Sequence, residues 1–170
     1  MREIVDHLGR PLPPGWEEHW AAEYRRAFDE ELEAVPGVHD AVSSMVAQGY
    51  AVCVGSSGGH EKIRRNLSRT GLRGRFAEDI FSASDVSRGK PAPDLFLHAA
   101  RTMGFDRADC VVVEDSQYGV AAARAAGMRV IGIAGGVTPR TQLEAADSVI
   151  VDMAELVRTV DGLTVSELRT

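Results

Sequence analysis

The sequence predicts an α/β fold with a mostly parallel, Rossmann-like sheet that has helices on both faces. From residue 38 onward, helix-like and strand-like segments alternate with short connections, which is the pattern of parallel strands joined by crossover helices. The run at 110–113 has no polar residue alternating with its valines, which is typical of a strand buried on both faces. A length of 170 residues allows one such domain and a small additional region.

The first 35 residues have a different pattern, which predicts a small helical region. Apolar residues at helical spacing occur in the first eight positions and again from Trp16 to Leu32, with a proline-rich break between the two stretches. No strand pattern precedes them. The Val-Pro-Gly-Val break at 35–38 predicts a boundary between a helical region at 1–35 and an α/β region at 36–170.

Within the second region, glycines mark the end of each of the first four predicted helices, as expected for left-handed C-terminal caps. The predicted helices are 38–46, 60–70, 95–103, 117–126, 139–146 and 153–160. The predicted strands are 50–54, 79–83, 110–113, 129–134 and 148–152. The polar loop between the second strand and the third helix contains Arg88-Gly89-Lys90-Pro91-Ala92-Pro93-Asp94.

Composition argues against several classes of partner. The net charge of −6 disfavours a general polyanion binder, and an arginine cluster between residues 64 and 75 is better explained as a solvated helix face than as a nucleic-acid site. Cys53 and Cys110 lie in apolar runs, which predicts small core residues in a reducing compartment. The sequence has no secretion signal and no apolar stretch of membrane-spanning length. We therefore expect a cytoplasmic protein that binds neither nucleic acid nor membranes.

Glu114 and Asp115 are the first candidate functional residues. They directly follow the buried strand at 110–113, and a helix-forming segment begins at Gln117. Asp115 or Ser116 can cap that helix. Because open α/β sheets bind ligands at the carboxyl ends of their strands, the two carboxylates could hold a hard cation such as Mg²⁺, which prefers oxygen ligands. The alternative is that Asp115 is only a helix cap and Glu114 a solvated strand end.

Polar residues at three strand ends together predict a phosphate-binding pocket. Ser56 and Ser57 follow the first strand in a turn whose hydroxyl and amide groups suit an anion. Lys90 follows the second strand and supplies a point charge, on a loop stiffened by two prolines. The carboxylates follow the third strand and would hold a divalent cation that offsets phosphate charge. In a parallel sheet these three strand ends lie at the same edge.

The three motifs resemble motifs II, III and IV of the haloacid dehalogenase superfamily, and are most similar to its β-phosphoglucomutase and phosphoglycolate phosphatase-like subfamily. The resemblance covers most of the chain from residue 35 to residue 151. It implies that Ser56 binds the transferring phosphoryl group beside Ser57, that Lys90 neutralises the phosphate, and that Asp115 and Glu114 hold Mg²⁺. It also implies phosphatase activity on a small phosphorylated metabolite such as a sugar phosphate, and a partial helical cap at 1–35.

One departure from the family pattern concerns the nucleophile. In the family, an Asp-x-Asp motif at the end of the first strand supplies it, and this sequence contains no Asp-x-Asp. We therefore expect the chain to lack that strand, whose place in the family's sheet is between the strands ending at Val54 and Val113. Both strands would then expose unpaired backbone groups, which predicts poor stability or self-association through the open position. An inactive, N-terminally truncated remnant that keeps a phosphate- or metal-binding pocket is the alternative function.

A serine hydrolase is a further alternative. Gly55-Ser56-Ser57-Gly58-Gly59 fits the Gly-x-Ser-x-Gly pattern, with Ser57 as the nucleophile between a strand and a helix. The mechanism needs a histidine base later in the chain, and no histidine follows His98, which falls inside a predicted helix. The sequence favours the phosphatase over this reading.

Overall fold

The computed structural model describes residues 13–16, 19, 20, 23, 26, 31–76 and 78–165. The chain divides into two compact units, Met1–Glu33 and Ala34–Thr170, with a boundary two residues before the predicted one. In the first unit, the described residues between Trp16 and Glu31 are helical. Trp20 is 50% exposed, so it does not belong to a buried core. The helix predicted at 1–8 lies outside the described residues. The identification of this unit as a cap remains a prediction.

The second unit alternates helices and strands as the sequence predicts. Its helices are α1 (Val38–Ala47), α2 (His60–Arg69), α3 (Arg73–Phe76), α4 (Asp94–Met103), α5 (Gln117–Ala126) and α6 (Leu156–Val165). Its strands are β1 (Val54–Ser56), β2 (Ile80–Ser82), β3 (Val111–Glu114), β4 (Arg129–Ile133) and β5 (Ser148–Ile150). Short 3₁₀ turns lie at Ala83–Asp85, Arg107–Asp109, Arg140–Gln142 and Met153–Glu155.

The described strands form two separate parallel sheets. One sheet has the order β1-β2 and the other has the order β3-β4-β5. In the described part of the chain, β1 pairs only with β2 and β3 pairs only with β4, so each has one edge without a partner strand. The prediction of an α/β fold with parallel strands is confirmed, and the strands on the two sides of the expected open position do not pair with each other.

Helices cover both faces of the three-stranded sheet. Neighbouring residues of β4 point to opposite sides of the sheet, and they pack against different helices. Val130 packs into a cluster with the alanine-rich α5, whose small side chains allow close approach to the sheet. Ile131, the next residue, packs into a second cluster with α1 and α6. Both side chains are fully buried, so this sheet is the centre of the unit's core.

Three local predictions about burial and structure are wrong. Val113 is 37% exposed and Cys53 is exposed, although both were predicted to be buried in strands. Val113 lies in β3 and Cys53 directly precedes β1, and among the described strands each of these two has one edge without a partner strand. Although Cys53 is exposed as a residue, surrounding protein atoms and then the negative charge of Asp79 raise the pKa of its thiol to about 11. The helix predicted at 139–146 is only a 3₁₀ turn at Arg140–Gln142.

The C-terminal part of the unit follows the predicted order with shifted boundaries. The last strand ends at Ile150, and Asp152 then caps a 3₁₀ turn by accepting a 2.9 Å hydrogen bond from the N–H of Ala154. Helix α6 begins only after this turn. Among the helices described, none combines the length and the apolar character that crossing a membrane would require.

Candidate active site

A pocket lies at the carboxyl ends of β1 and β3 and brings together all five residues that the sequence singled out. Its lining residues are Gly55, Ser56, Ser57, Lys90, Val113, Glu114, Asp115 and Ser116. The location agrees with the general rule that open α/β sheets bind ligands at the carboxyl ends of their strands. The pocket therefore lies where the two sheets approach each other.

The turn after β1 is fixed by hydrogen bonds to its own residues and to β2. The N–H of Gly58 donates to Ser56 Oγ over 3.1 Å, and the fully buried Ser82 donates from its Oγ to the carbonyl of Gly58 over 2.8 Å. Gly55 packs closely against Phe96, because a Cβ there would lie only 3.3 Å from the ring. The turn leads into the N-terminus of α2, and it is held both by its own Gly58–Ser56 hydrogen bond and by the hydrogen bond from Ser82 on β2.

A polar cluster next to this turn was missed by the sequence analysis. His60 Nε2 lies 2.8 Å from Asp85 Oδ1, and Asp85 Oδ2 accepts a 2.8 Å hydrogen bond from the N–H of Ser82. The Ser82 N–H and then His60 lower the pKa of the Asp85 carboxyl. The Ser-x-x-Asp spacing of 82 and 85 is a capping-box signature that could have indicated this local contact. Nothing in the sequence indicates the contact with His60.

Lys90 lies between the two strand ends. Its Nζ donates to the carbonyl of Gly55 on β1 over 3.1 Å, forms an ion pair with Glu114 on β3, and lies 4.7 Å from the centre of the Phe96 ring. The loop that carries it is anchored by Arg88, which donates two hydrogen bonds of 2.8 and 3.1 Å to Asp94 at the start of α4. The side chains of Lys90 and Glu114 are each only 8% exposed, so the pair is held inside the protein.

Glu114 and Asp115 have different environments. The Glu114 carboxylate is buried, pairs with Lys90 and accepts a 3.0 Å hydrogen bond from Ser116 Oγ, whereas Asp115 is exposed. Ser116, not Asp115, caps α5, because its Oγ accepts a 3.0 Å hydrogen bond from the N–H of Gly119. The Glu114 carboxylate lies against Gly119, in the space that a Cβ at position 119 would occupy. The sequence analysis did not identify Gly119.

Ser116→Ala is expected to lower the free energy of unfolding by about 1 kcal/mol, the usual effect of losing a helix N-cap side chain. The change also removes the hydrogen bond that Glu114 Oε2 accepts. Urea denaturation followed by circular dichroism measures the change in the free energy of unfolding. Ser68→Ala, at an exposed site on α2, is the matched control and should change stability by less than about 0.5 kcal/mol. Equal effects from the two substitutions would argue against the capping role.

Two carboxylates in the pocket have the donor chemistry that a magnesium site requires. Glu114 and Asp115 are oxygen donors of the type that Mg²⁺ prefers, and both line the pocket. Glu114, however, is neutralised by Lys90. In the part of the chain that the structure describes, no three His, Cys, Asp or Glu side chains are grouped so that they could hold a metal ion. The two carboxylates fit the chemistry of the ion but do not complete its coordination.

Among the residues that the structure describes, the arrangement of a serine hydrolase is not found around Ser57. Ser57 is exposed, and His98 packs edge-on against the Phe81 ring with the ring centres 5.6 Å apart. His60, which follows Ser57 closely in the chain, points its Nε2 at Asp85. Among the hydrogen bonds of the described residues, none joins a histidine to Ser57.

Comparisons with known proteins identify the family. The family model of haloacid dehalogenase-like hydrolases matches residues 3–127. The chain is 35% identical over 135 residues to a 6-phosphogluconate phosphatase of Escherichia coli (strain K12). This match covers 76% of this chain and 60% of that protein. The chain thus spans about 60% of the length of this curated relative.

Solved structures show the same fold. A haloacid dehalogenase-like protein of Agrobacterium tumefaciens superimposes with a TM-score of 0.85 at 31% identity, covering 95% of this chain and 75% of the other. A HAD family hydrolase of Deinococcus radiodurans, solved with bound phosphate and sodium, gives a TM-score of 0.81 at 27% identity, covering 95% of this chain and 73% of the other. The resemblance that the sequence motifs indicated is confirmed.

Proposed function

We propose that this chain, which belongs to the haloacid dehalogenase-like hydrolase family, is a Mg²⁺-dependent phosphatase of a small phosphorylated metabolite such as a sugar phosphate. The observation that supports the proposal is the convergence of Ser56, Lys90 and the Glu114-Asp115 pair on one pocket at the strand ends. The substrate class is supported by the 6-phosphogluconate phosphatase of Escherichia coli among its relatives.

In this proposal each residue has a role that its environment suits. Ser56 and the neighbouring Ser57 bind oxygens of the phosphoryl group, since their turn is held by Gly58 and leads into a helix N-terminus. Lys90 offsets phosphate charge from between the two strand ends. Asp115 and Glu114 would hold the Mg²⁺, which supplies further neutralisation of phosphate charge when bound.

A second candidate function is phosphate binding without turnover. Two observations favour it: the sequence has no Asp-x-Asp motif to supply a nucleophile, and Lys90 is paired with Glu114. Such a protein would keep the anion-binding turn of Ser56 and Ser57 but would not hydrolyse the ester. The two candidates share a pocket and differ in whether product forms.

The test is Mg²⁺-dependent hydrolysis of para-nitrophenyl phosphate and of sugar phosphates by the purified 170-residue chain. The phosphatase proposal expects turnover that needs Mg²⁺ and falls at least tenfold in Lys90→Gln and in Asp115→Asn, because each removes a charge that faces the phosphate or the metal. Circular dichroism at the assay temperature confirms that each variant is folded. Lys62→Gln, on the surface of α2, is the control and should leave the rate unchanged. Phosphate binding with no turnover would instead support the second candidate.

We also propose that the chain self-associates through the open position between β1 and β3. Each of these strands has an edge with no partner among the described strands, and a second copy brings the same two edges. The residues along the β3 edge before Glu114 are uncharged valines, so no like charges oppose the pairing.

A further inference from the structure

The charges around Lys90 do not favour an anion in the described structure. Three charged residues line the pocket, namely Lys90, Glu114 and Asp115, so one positive charge is set against two negative ones. The positive charge is moreover engaged, because Lys90 pairs with Glu114 inside the protein and donates to the carbonyl of Gly55. A phosphate that approaches the turn of Ser56 therefore meets a pocket of net negative charge.

We propose that the contact between Lys90 and Glu114, which we call the latch, is autoinhibitory and forms because Gly119 leaves space for the Glu114 carboxylate. An anion then binds at Lys90 only when this carboxylate is displaced. This inference rests on the proposed function, since it concerns the same phosphate pocket. Glu114 then has a second role besides metal binding: it determines whether the charge of Lys90 is available.

Gly119 decides where the Glu114 carboxylate can lie. The carboxyl group occupies the space that a side chain at position 119 would fill. Ser116 donates to one carboxylate oxygen, and Lys90 contacts the other. Since the carboxylate is the far end of a flexible side chain, a methyl group at 119 can displace it without moving the backbone. Alanine is also the better helix former, so the fold of α5 tolerates the change.

The latch can be measured directly, because Lys62 and Lys90 are the only lysines in the sequence. Acetylation with a water-soluble reagent, followed by mass spectrometry of chymotryptic peptides, gives the reaction rate of Lys90 relative to the exposed Lys62. We expect Lys90 to react at least tenfold more slowly than Lys62 in the unsubstituted chain. Gly119→Ala and Glu114→Gln should each raise the relative rate of Lys90 at least threefold. Equal rates for the two lysines, or no change in Gly119→Ala, would overturn the latch.

Binding of inorganic phosphate, measured by calorimetry in metal-free buffer, connects the latch to function. We expect Gly119→Ala to bind phosphate at least tenfold more tightly than the unsubstituted chain, although it leaves the net charge unchanged. Asp115→Asn is the matched control, because it removes a negative charge from the same pocket without touching the latch; its gain should be smaller. A gain in Asp115→Asn as large as that in Gly119→Ala would overturn the proposal.

A second pair of variants separates the latch from the proposed function. Lys90→Gln should abolish the tighter binding in the Gly119→Ala background. If Lys90→Gln in the Gly119→Ala background binds phosphate as tightly as Gly119→Ala alone, phosphate does not bind at Lys90. The proposed function then fails, even if the acetylation rates are those that the latch predicts. If phosphate requires Lys90 but Gly119→Ala binds no more tightly, the proposed function stands and the latch is overturned.

Discussion

Replacing Lys90 with methionine is expected to lower the free energy of unfolding by about 3–5 kcal/mol, the usual cost of removing one partner from a buried ion pair. The side chains of Lys90 and Glu114 are both 8% exposed, so the substitution leaves a carboxylate in the protein interior without its cation. Ser116 still donates one hydrogen bond to that carboxylate, but one neutral donor does not replace an ammonium group. Urea denaturation at neutral pH, followed by far-ultraviolet circular dichroism, measures the loss.

The double variant Lys90→Met/Glu114→Gln tests the cause. Because it removes both charges, it should recover most of the stability that Lys90→Met alone loses. Arg64→Met is the surface control: Arg64 and Glu78 lie 3.7 Å apart and are well exposed, so this change should cost no more than about 1 kcal/mol. If the double variant is as unstable as Lys90→Met, the loss comes from packing of the lysine stem and not from the unpaired carboxylate.

Helix α5 shows how far local sequence can predict this structure. Its bounds, Gln117–Ala126, are those predicted, because each is set by residues within the segment. Ser116 closes the first turn through its side chain, and Gly127 adopts φ 72° just after the last turn, a conformation that glycine reaches without strain. The strand ends at Ser56 and Glu114 were also predicted to within two residues, since an apolar run gives way there to polar residues.

What the sequence could not predict depends on contacts between distant segments. His60 meets Asp85, which is 25 residues away, and neither residue belongs to a pattern that pairs them. The role of Gly119 follows from the position of the Glu114 side chain, which only the three-dimensional structure gives. The exposure of Val113 has the same origin: an apolar run predicts a strand, but its burial is decided by whether another strand lies beside it. Sequence motifs thus identified residues that line one pocket, and tertiary contacts determined how those residues pair with one another.

Val113→Lys is expected to weaken self-association of the chain at least about 100-fold, which corresponds to roughly 2.7 kcal/mol. Val113 is 37% exposed at the end of β3, on the strand whose other edge pairs with β4. Pairing of strand edges between two copies would place the introduced lysine side chain beside the strand of the other copy. Lysine at a sheet edge opposes such pairing. Sedimentation velocity over a hundredfold range of concentration gives the dissociation constant. The midpoint of thermal unfolding should rise with concentration for the unsubstituted chain and not for the variant.

Val137→Lys is the control for this prediction, because it makes the same chemical change at a fully exposed residue of the segment between β4 and β5. If association uses the open strand position, Val137→Lys should leave the dissociation constant unchanged within about twofold, the effect of adding one charge to a protein of net charge −6. Equal weakening by both substitutions would indicate association through general charge or another surface. A chain that stays monomeric at all concentrations would contradict self-association through this position.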